Sequence, residues 1–261
     1  MPSDKFLRQL EQVTHVILKF GTGTLTEHIK RNSRTYFKQI ADEVKQLQAQ
    51  GKKVIIVSSG AVGFGREILH RQLKRVVNHE SVGHKQALAS LGQSLLIDTY
   101  RSQFSKKQLA AAQILLTRTD FENRKHLANL RQTLDQLLDW NAVPVINEND
   151  AIANEEIKVG DNDNLSADIA VLYPHSLLIL LTTIDGFYMD KKRLPVINRI
   201  DASIKRAAGV ASGQGTGGMI TKLQAGQKIL QAGQMMNIAS GKNMRVLRKI
   251  MNGEDVGTWF Y

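Results

Sequence analysis

Cysteine is absent from the 261 residues. That excludes disulfides, thiolate metal sites and cysteine nucleophiles. Proline occurs four times, and with 42% apolar and 23% charged residues the composition is that of an ordinary globular protein rather than a disordered or fibrous one. No stretch approaches the roughly eighteen consecutive apolar residues of a membrane span, so none is expected. The start, MPSDKFLRQLEQ, lacks an apolar segment ending at a small-residue cleavage site. It does not read as a secretory signal, and a cytoplasmic location is the expectation. No internal repeat, low-complexity segment or heptad run organises the chain.

Positive charge is what the chain has in excess, formally +11. It favours anionic partners in general. The lysines and arginines are scattered, the densest groups being as short as Lys191-Lys192-Arg193 and Lys205-Arg206, so they do not establish a stripe that would track a nucleic acid. At this length one core approaches the size at which a domain divides into two lobes.

Hydrophobic patterning alternates strand and helix. The apolar run 13–20 (VTHVILKF) predicts a buried first strand, followed by GTGTLT as a loop too glycine-rich to continue it. Tyr36, Phe37, Ile40, Val44 and Leu47 recur at helical spacing, with Asn32 or Ser33 as candidate caps and Gly51 as the stop. Further strands are predicted over 53–58, 111–116, 142–146, 177–181 and 235–239, with a terminal strand near 258–261. Helices are predicted over 86–104, 123–140, 163–172 and 219–232, with a last turn over 246–251. Residues 185–217 read as less regular. This alternation predicts a three-layer α/β protein. Tyr173-Pro174 marks the expected lobe boundary, giving residues 1–173 and 174–261, because a proline there disfavours a continuing helix.

Ligands in open α/β sheets gather beyond the carboxyl ends of strands, and four such ends stand out. Lys19-Phe20-Gly21-Thr22-Gly23-Thr24 joins a mobile positive charge to exposed amides, although alone it could be a surface lysine beside a tight turn. Ser58-Ser59-Gly60-Ala61-Val62-Gly63 offers hydroxyls and amides to a carboxylate, or is only a turn. Asn147-Glu148-Asn149-Asp150 and the segment 158–164 (KVGDNDN) cluster carboxylates and amides. They could solvate an ammonium group, orient lysines, hold a divalent ion through water, or form a solvated acidic loop. Their spacing is not that of a calcium-binding helical hand. The stretch 213–222 (GQGTGGMITK) runs four glycines into a helix carrying Thr221 and Lys222, which suits phosphate at the helix start, with a flexible connector as the simpler reading. It is not a Walker loop, since Met219 follows Gly218. His79 and His84 form no metal signature and read as surface or locally hydrogen-bonded residues.

Taken together, KFGTGTLT, VIIVSSGAVGFGRE, KQALASLGQ, QILLTRTDF, VPVINENDAIANEEIKVGDNDNLSA, LLILLT, GTGGMITKLQA and VGTWF resemble, in order and over nearly the whole chain, the glutamate 5-kinases of the amino acid kinase family. The resemblance implies a mainly parallel open sheet between helical layers, with glutamate toward the first lobe and ATP toward the second. It places Lys19 and Lys222 on the phosphates and Asp163 between them as organiser. It places Ser59, Asp150 and Asn162 on the substrate, with Asp150 facing the α-ammonium. Thr182, Thr183 and Gly215, Thr216, Gly217, Gly218, Met219, Ile220, Thr221 and Lys222 fall on the ATP side. It also implies proline as feedback inhibitor, a homodimer or homotetramer, and a glutamyl phosphate reductase acting next. Mg²⁺ bound mainly through ATP phosphates and water, with few or no protein ligands, suits the absence of a compact His/Asp cluster.

Three departures accompany the match. Thr183 stands where the family has aspartate, Gly23 where it has serine, and the segment after Tyr188 is shorter and lacks an Asp-Pro pair. The C-terminal domain of RNA-modification type carried by many relatives is not expected here. Two other readings stay open: a related kinase for another small acid, and an inactive kinase-like regulatory or nucleic-acid-binding paralogue.

Overall fold

A computed structural model of the chain describes residues 4–76, 81–152, 161–211 and 218–261, with the side chains of 26–33, 161, 210 and 211 outside that description. In chain order the elements are α1 (Asp4–Glu11), β1 (His15–Phe20), α2 (Thr22–Ala49), β2 (Lys53–Ser58), α3 (Ala61–Arg71), α4 (Val82–Phe104), β3 (Ala111–Leu116), α5 (Arg118–Glu122), α6 (Arg124–Asp139) and β4 (Val143–Glu148). They continue with α7 (Asp161–Val171), β5 (Ser176–Thr182), β6 (Tyr188–Met189), β7 (Lys192–Arg193), β8 (Val196–Ile197), α8 (Ala202–Ala211), α9 (Gly218–Gln231), β9 (Met235–Ser240), α10 (Val246–Met251) and β10 (Thr258–Phe260).

Among the described residues eight strands form one sheet in the order β3-β4-β2-β1-β5-β9-β10-β8, and β6 pairs with β7 in a separate ribbon. Within the large sheet every pairing is parallel except β9 with β10. The central strands are buried on both faces, which is why they read as continuous apolar runs. Alternation divides their side chains between two cores. Val16, Leu18 and Phe20 join Val54, Ile56, Leu177 and Ile179 beneath Phe37, Ile40, Phe64 and Tyr100 of α2, α3 and α4. Ile17 joins Ile55, Val57, Leu178 and Leu180 against Leu134, Ala167, Ile204 and Leu223 of α6, α7, α8 and α9. Two cores on opposite faces make three layers, as expected.

The β1 strand decides where the chemistry sits. Side chains two apart share a face, so Lys19 points with Ile17 toward the layer of α7 and α9. The chain passes from β1 to β2 on one side and later returns to β5 on the other. Their carboxyl ends therefore border the crevice at which the strand order switches.

Several elements differ from the sequence reading, among them α3 (Ala61–Arg71) and α5 (Arg118–Glu122), which it did not predict. GTGTLT is not a loop: Gly21 has extended backbone (φ −75°, ψ 153°) and α2 starts at Thr22. The Leu25 amide already donates to the Gly21 carbonyl (3.2 Å), and Leu25 is fully buried. Burial of that side chain outweighs the poor helix propensity of glycine, so neither Asn32 nor Ser33 caps the helix. The segment 4–11 forms α1, burying Phe6 and Leu10. Within the stretch read as less regular, α8 starts where Asp201 Oδ1 accepts the Ser203 and Ile204 amides (2.8 and 3.0 Å), an N-cap arrangement. His84 caps α4 reciprocally with Ser81; His79 lies outside the described residues. Trp259 and Phe260 are core residues, and Tyr188 is exposed. Among the described residues no helix is long and apolar enough to cross a membrane.

Candidate active site

Asp163 occupies the first turn of α7 and is fully buried. An isolated carboxylate there would be costly; two lysines from separate elements compensate it. Lys19 Nζ from β1 stands 2.5 Å from Asp163 Oδ1, and Lys222 Nζ from α9 stands 3.0 Å from Oδ2. The Thr221 hydroxyl also donates to Oδ2 (2.8 Å), and Lys222 Nζ donates to the Gly218 carbonyl (2.8 Å). Both lysines are themselves nearly buried, at 5% and 8% exposure. Burial pulls the Lys19 ammonium below the ordinary lysine range; Asp163 opposes that shift and Lys222 adds to it. Burial would push the Asp163 carboxyl up, but the Lys19 and Lys222 ammonium groups outweigh it and hold the carboxyl below its usual range. Two ammonium groups thus face one carboxylate in a largely desolvated place, an arrangement suited to receiving further negative charge.

The neighbouring residue on the same turn faces a second group. Asn162 Nδ2 donates to Ser59 Oγ (2.8 Å) and to Asn147 Oδ1 (3.1 Å). Ser59 sits just past β2, where Gly60 adopts φ 108° as the cap of α3, a left-handed conformation that favours glycine. Asn147, on β4, uses its Nδ2 to donate to Gln93 Oε1 of α4 (2.9 Å). The α4 helix comes this close because α3 and α4 touch through glycine: a Cβ on Gly65 would lie 1.9 Å from the Leu88 carbonyl oxygen, and one on Gly92 1.9 Å from that of Ala61. Gln93 was not singled out from the sequence. Its only signal was its place at the end of KQALASLGQ, since nothing in local spacing reveals a contact made across three elements.

The remaining expected residues fall around these two groups. Asp150 lies in the turn after β4 and is half-buried. Thr182 ends β5, its carbonyl accepting the Gly241 amide (2.8 Å), and Thr183 follows it, exposed. The methyl of Thr183 faces Gly23: a Cβ built on Gly23 would lie 3.1 Å from Thr183 Cγ2, so two of the three departures meet in space. Gly218 through Lys222 form the start of α9, with Met219 in the core and Ile220 exposed. Gly215, Thr216 and Gly217, and residues 158–160 of the polar segment, lie outside the described residues.

A model of the amino acid kinase family matches residues 14–240. The chain belongs to the amino acid kinase family. The glutamate 5-kinase of Caldanaerobacter subterraneus subsp. tengcongensis is 42% identical over 253 residues, covering 94% of this chain and 67% of that protein. That of Geobacter metallireducens is 41% identical over 259 residues, covering 96% and 68%. Among solved structures, Giardia carbamate kinase superposes with a TM-score of 0.66 at 16% identity, covering 95% of this chain and 98% of that one. At that identity the likeness speaks for the amino acid kinase fold, and the sequence relatives speak for the closer kinship.

Proposed function

We propose that this chain transfers the terminal phosphoryl group of ATP to the γ-carboxylate of L-glutamate, giving L-glutamyl 5-phosphate, the first step toward proline. Identities near 40% to named glutamate 5-kinases along almost the whole chain support the activity. The observation that carries the chemistry is the single turn of α7 that aims Asp163 at two ammonium groups and Asn162 at a hydroxyl and amide cluster. One side suits phosphates, the other an amino acid, and they are consecutive residues.

The γ-carboxylate is already ionised near neutral pH and needs no general base. The obstacle is repulsion between two anions. Lys19 and Lys222 neutralise it and stabilise charge on the group in flight. Asp163 is an organiser: it keeps both ammonium groups within reach of one point, and its depressed pKa keeps it ionised while doing so. The amides at the start of α2 and α9 add donors toward phosphate, with Gly21, Thr182, Thr183 and the 215–222 stretch bordering the nucleotide. Ser59, Asn162 and Asp150 position glutamate, Asp150 toward its α-ammonium. In this reading residues 1–173 hold the acid and 174–261 the nucleotide. The excess of ammonium over carboxylate at Asp163 fits a polyphosphate, and Mg²⁺ bound mainly to that polyphosphate would supply further neutralisation. Feedback by proline, assembly into dimers or tetramers, and consumption of the acyl phosphate by a reductase belong to the same proposal.

The test is an ATP-coupled assay offering glutamate, aspartate, N-acetylglutamate, carbamate and UMP in parallel, with hydroxylamine trapping the acyl phosphate. Hydroxamate from glutamate far above the others is expected. Turnover of another acid in its place, or salt-dependent nucleic-acid binding without any turnover, would overturn the proposal.

A further inference from the structure

We infer that Gln93 is a positioning residue for substrate recognition, holding the amides of Asn147 and Asn162 in the orientation that makes the pocket accept a carboxylate at Ser59 and an ammonium group at Asn162. The inference rests on the glutamate reading and extends it to a side chain outside the residues assigned to phosphate or substrate.

The argument follows donors and acceptors along one chain of contacts. A backbone amide can only donate, and that of Glu148 donates to Asn147 Oδ1 (2.9 Å). The other end of the Asn147 side chain is then Nδ2, a donor in a place only 1% exposed, and it needs an acceptor. Gln93 Oε1 supplies it at 2.9 Å. With Asn147 so held, its Oδ1 can also receive a donor, and Asn162 Nδ2 provides one at 3.1 Å while donating to Ser59 Oγ at 2.8 Å.

Two consequences reach the open end of the pocket. Ser59 Oγ is occupied as an acceptor, so its hydroxyl proton is left to donate, and no acceptor among the described residues takes it; a carboxylate oxygen is the natural recipient. Asn162 Oδ1 is buried and has no hydrogen-bond partner among the described residues. A buried acceptor left open costs free energy until a donor arrives, and an α-ammonium group is such a donor. Reversing the Asn162 amide would set its oxygen against Asn147 Oδ1 and its nitrogen toward the ligand, making the pocket repel the cation it should hold. The Glu148 amide sets the sense of the Asn147 side chain, and Gln93, by accepting from its Nδ2, holds that side chain in place at the outer end of the relay.

The fold supplies the relay's rigidity. Gly92, the residue before Gln93, lets α4 press its backbone on that of α3. One helical stripe further, Tyr100 donates to Ser58 Oγ (3.1 Å), and Ser58 Oγ donates to the Ser59 carbonyl (3.2 Å). Residues seven apart lie on one helix face, so α4 braces the substrate turn at two points.

The experiment compares wild type with Gln93→Met, which keeps volume and loses the acceptor, and Gln93→Glu, which keeps an acceptor. The readout is the KM for glutamate set against the inhibition constant of glutarate, which has both carboxylates and no ammonium group. For Gln93→Met this preference for glutamate falls about five- to tenfold, the size of one ordered hydrogen bond, while the KM for ATP is unchanged. Gln93→Glu retains the preference. A preference unaltered in Gln93→Met, or lost equally in both variants, overturns the inference, because a merely structural role would not follow acceptor chemistry. A second measurement is independent of activity: exchange of the Asn162 side-chain amide protons with water, by NMR of the asparagine-labelled protein. Exchange is slow in wild type and Gln93→Glu and fast in Gln93→Met; equal rates in all three also overturn it. Should wild type fail to phosphorylate glutamate, the functional reading falls alone, and the exchange rates still decide the relay.

Discussion

Gly92 of α4 and Ala61 of α3 meet backbone to backbone, with room for no side chain: a Cβ on Gly92 would lie 1.9 Å from the Ala61 carbonyl oxygen and 2.3 Å from the Gly65 amide nitrogen. Neither obstacle can rotate away, so an alanine there must part the two helices. Gly92→Ala is expected to cost about 3 kcal/mol, the upper range for overpacking, read as a lower urea midpoint at constant m. Gly209→Ala on α8 is the control. Nothing lies within 4 Å of its Cβ position, and it should gain about 0.5–1 kcal/mol from helix propensity. Equal effects at the two sites would refute the account of the α3–α4 contact.

Lys222 shares the Asp163 carboxylate with Lys19, and its removal leaves the acid still paired. Lys222→Ala is therefore expected to fold and to bind glutamate with little change. Its turnover should fall about 10²–10³-fold, the loss seen when one preorganised donor to developing charge is removed. Unchanged kcat with only a higher glutamate KM would remove Lys222 from the transition state.

Asp150 sits on the other side, in the turn after β4. If it faces the α-ammonium, Asp150→Ala raises the glutamate KM by about tenfold or more, since losing a charged hydrogen bond costs about 1.5–3 kcal/mol. Glutarate inhibition stays unchanged, because that ligand has no ammonium group to lose. Identical saturation by glutamate before and after would exclude Asp150 from the pocket.

Burial pulls the Lys19 ammonium below the ordinary lysine value of 10.5, against the opposing pull of Asp163. In the free enzyme it therefore loses its proton at lower pH than an exposed lysine, and the neutral amine no longer attracts phosphate. The sign follows: kcat/KM for ATP, which reports the free enzyme, should fall as pH rises through a value below 10.5. Lys19→Arg keeps its charge past pH 12 and should lose that alkaline limb even if its activity is lower. A limb that persists in Lys19→Arg would assign it to another group.

Much of this was legible in the sequence where burial on both faces writes a continuous apolar run. The expected strand over 53–58 coincides with β2, which is buried in this way; that over 111–116 coincides with β3, an edge strand that is only half-buried. The segments that carry Lys19, Asp163 and Lys222 stood out in the sequence as glycine-rich or acidic element ends, but the grouping of the three residues was implied only by the family resemblance. Other features depend on contacts that no local pattern encodes. The start of α2 was obscured because Gly-Thr-Gly argues against helix, and only the burial of Leu25 overrides it. The α1 helix was hidden by its polar exposed face, and α8 by the glycine-rich stretch that follows, although Asp201 carried a readable cap. Gln93 matters only because α4 crosses α3 at Gly92, a tertiary fact.

The space between Gly23 and Thr183 makes the last expectation one about a pair. Both residues stand at the β1 and β5 ends, and a Cβ on Gly23 would come within 3.1 Å of Thr183 Cγ2, tight enough that the methyl must yield. Gly23→Ser should therefore raise the KM for ATP when Thr183 is present, by displacing the nucleotide-side turn. Thr183→Ser removes the Cγ2 methyl and keeps the hydroxyl, so in that background the same substitution should be tolerated. Residues in contact show coupling of about 0.5–3 kcal/mol, which predicts at least a twofold departure from additivity in kcat/KM for ATP across the double-mutant cycle. Strict additivity would mean that the two positions vary independently and that the methyl of Thr183 does not limit what position 23 can carry.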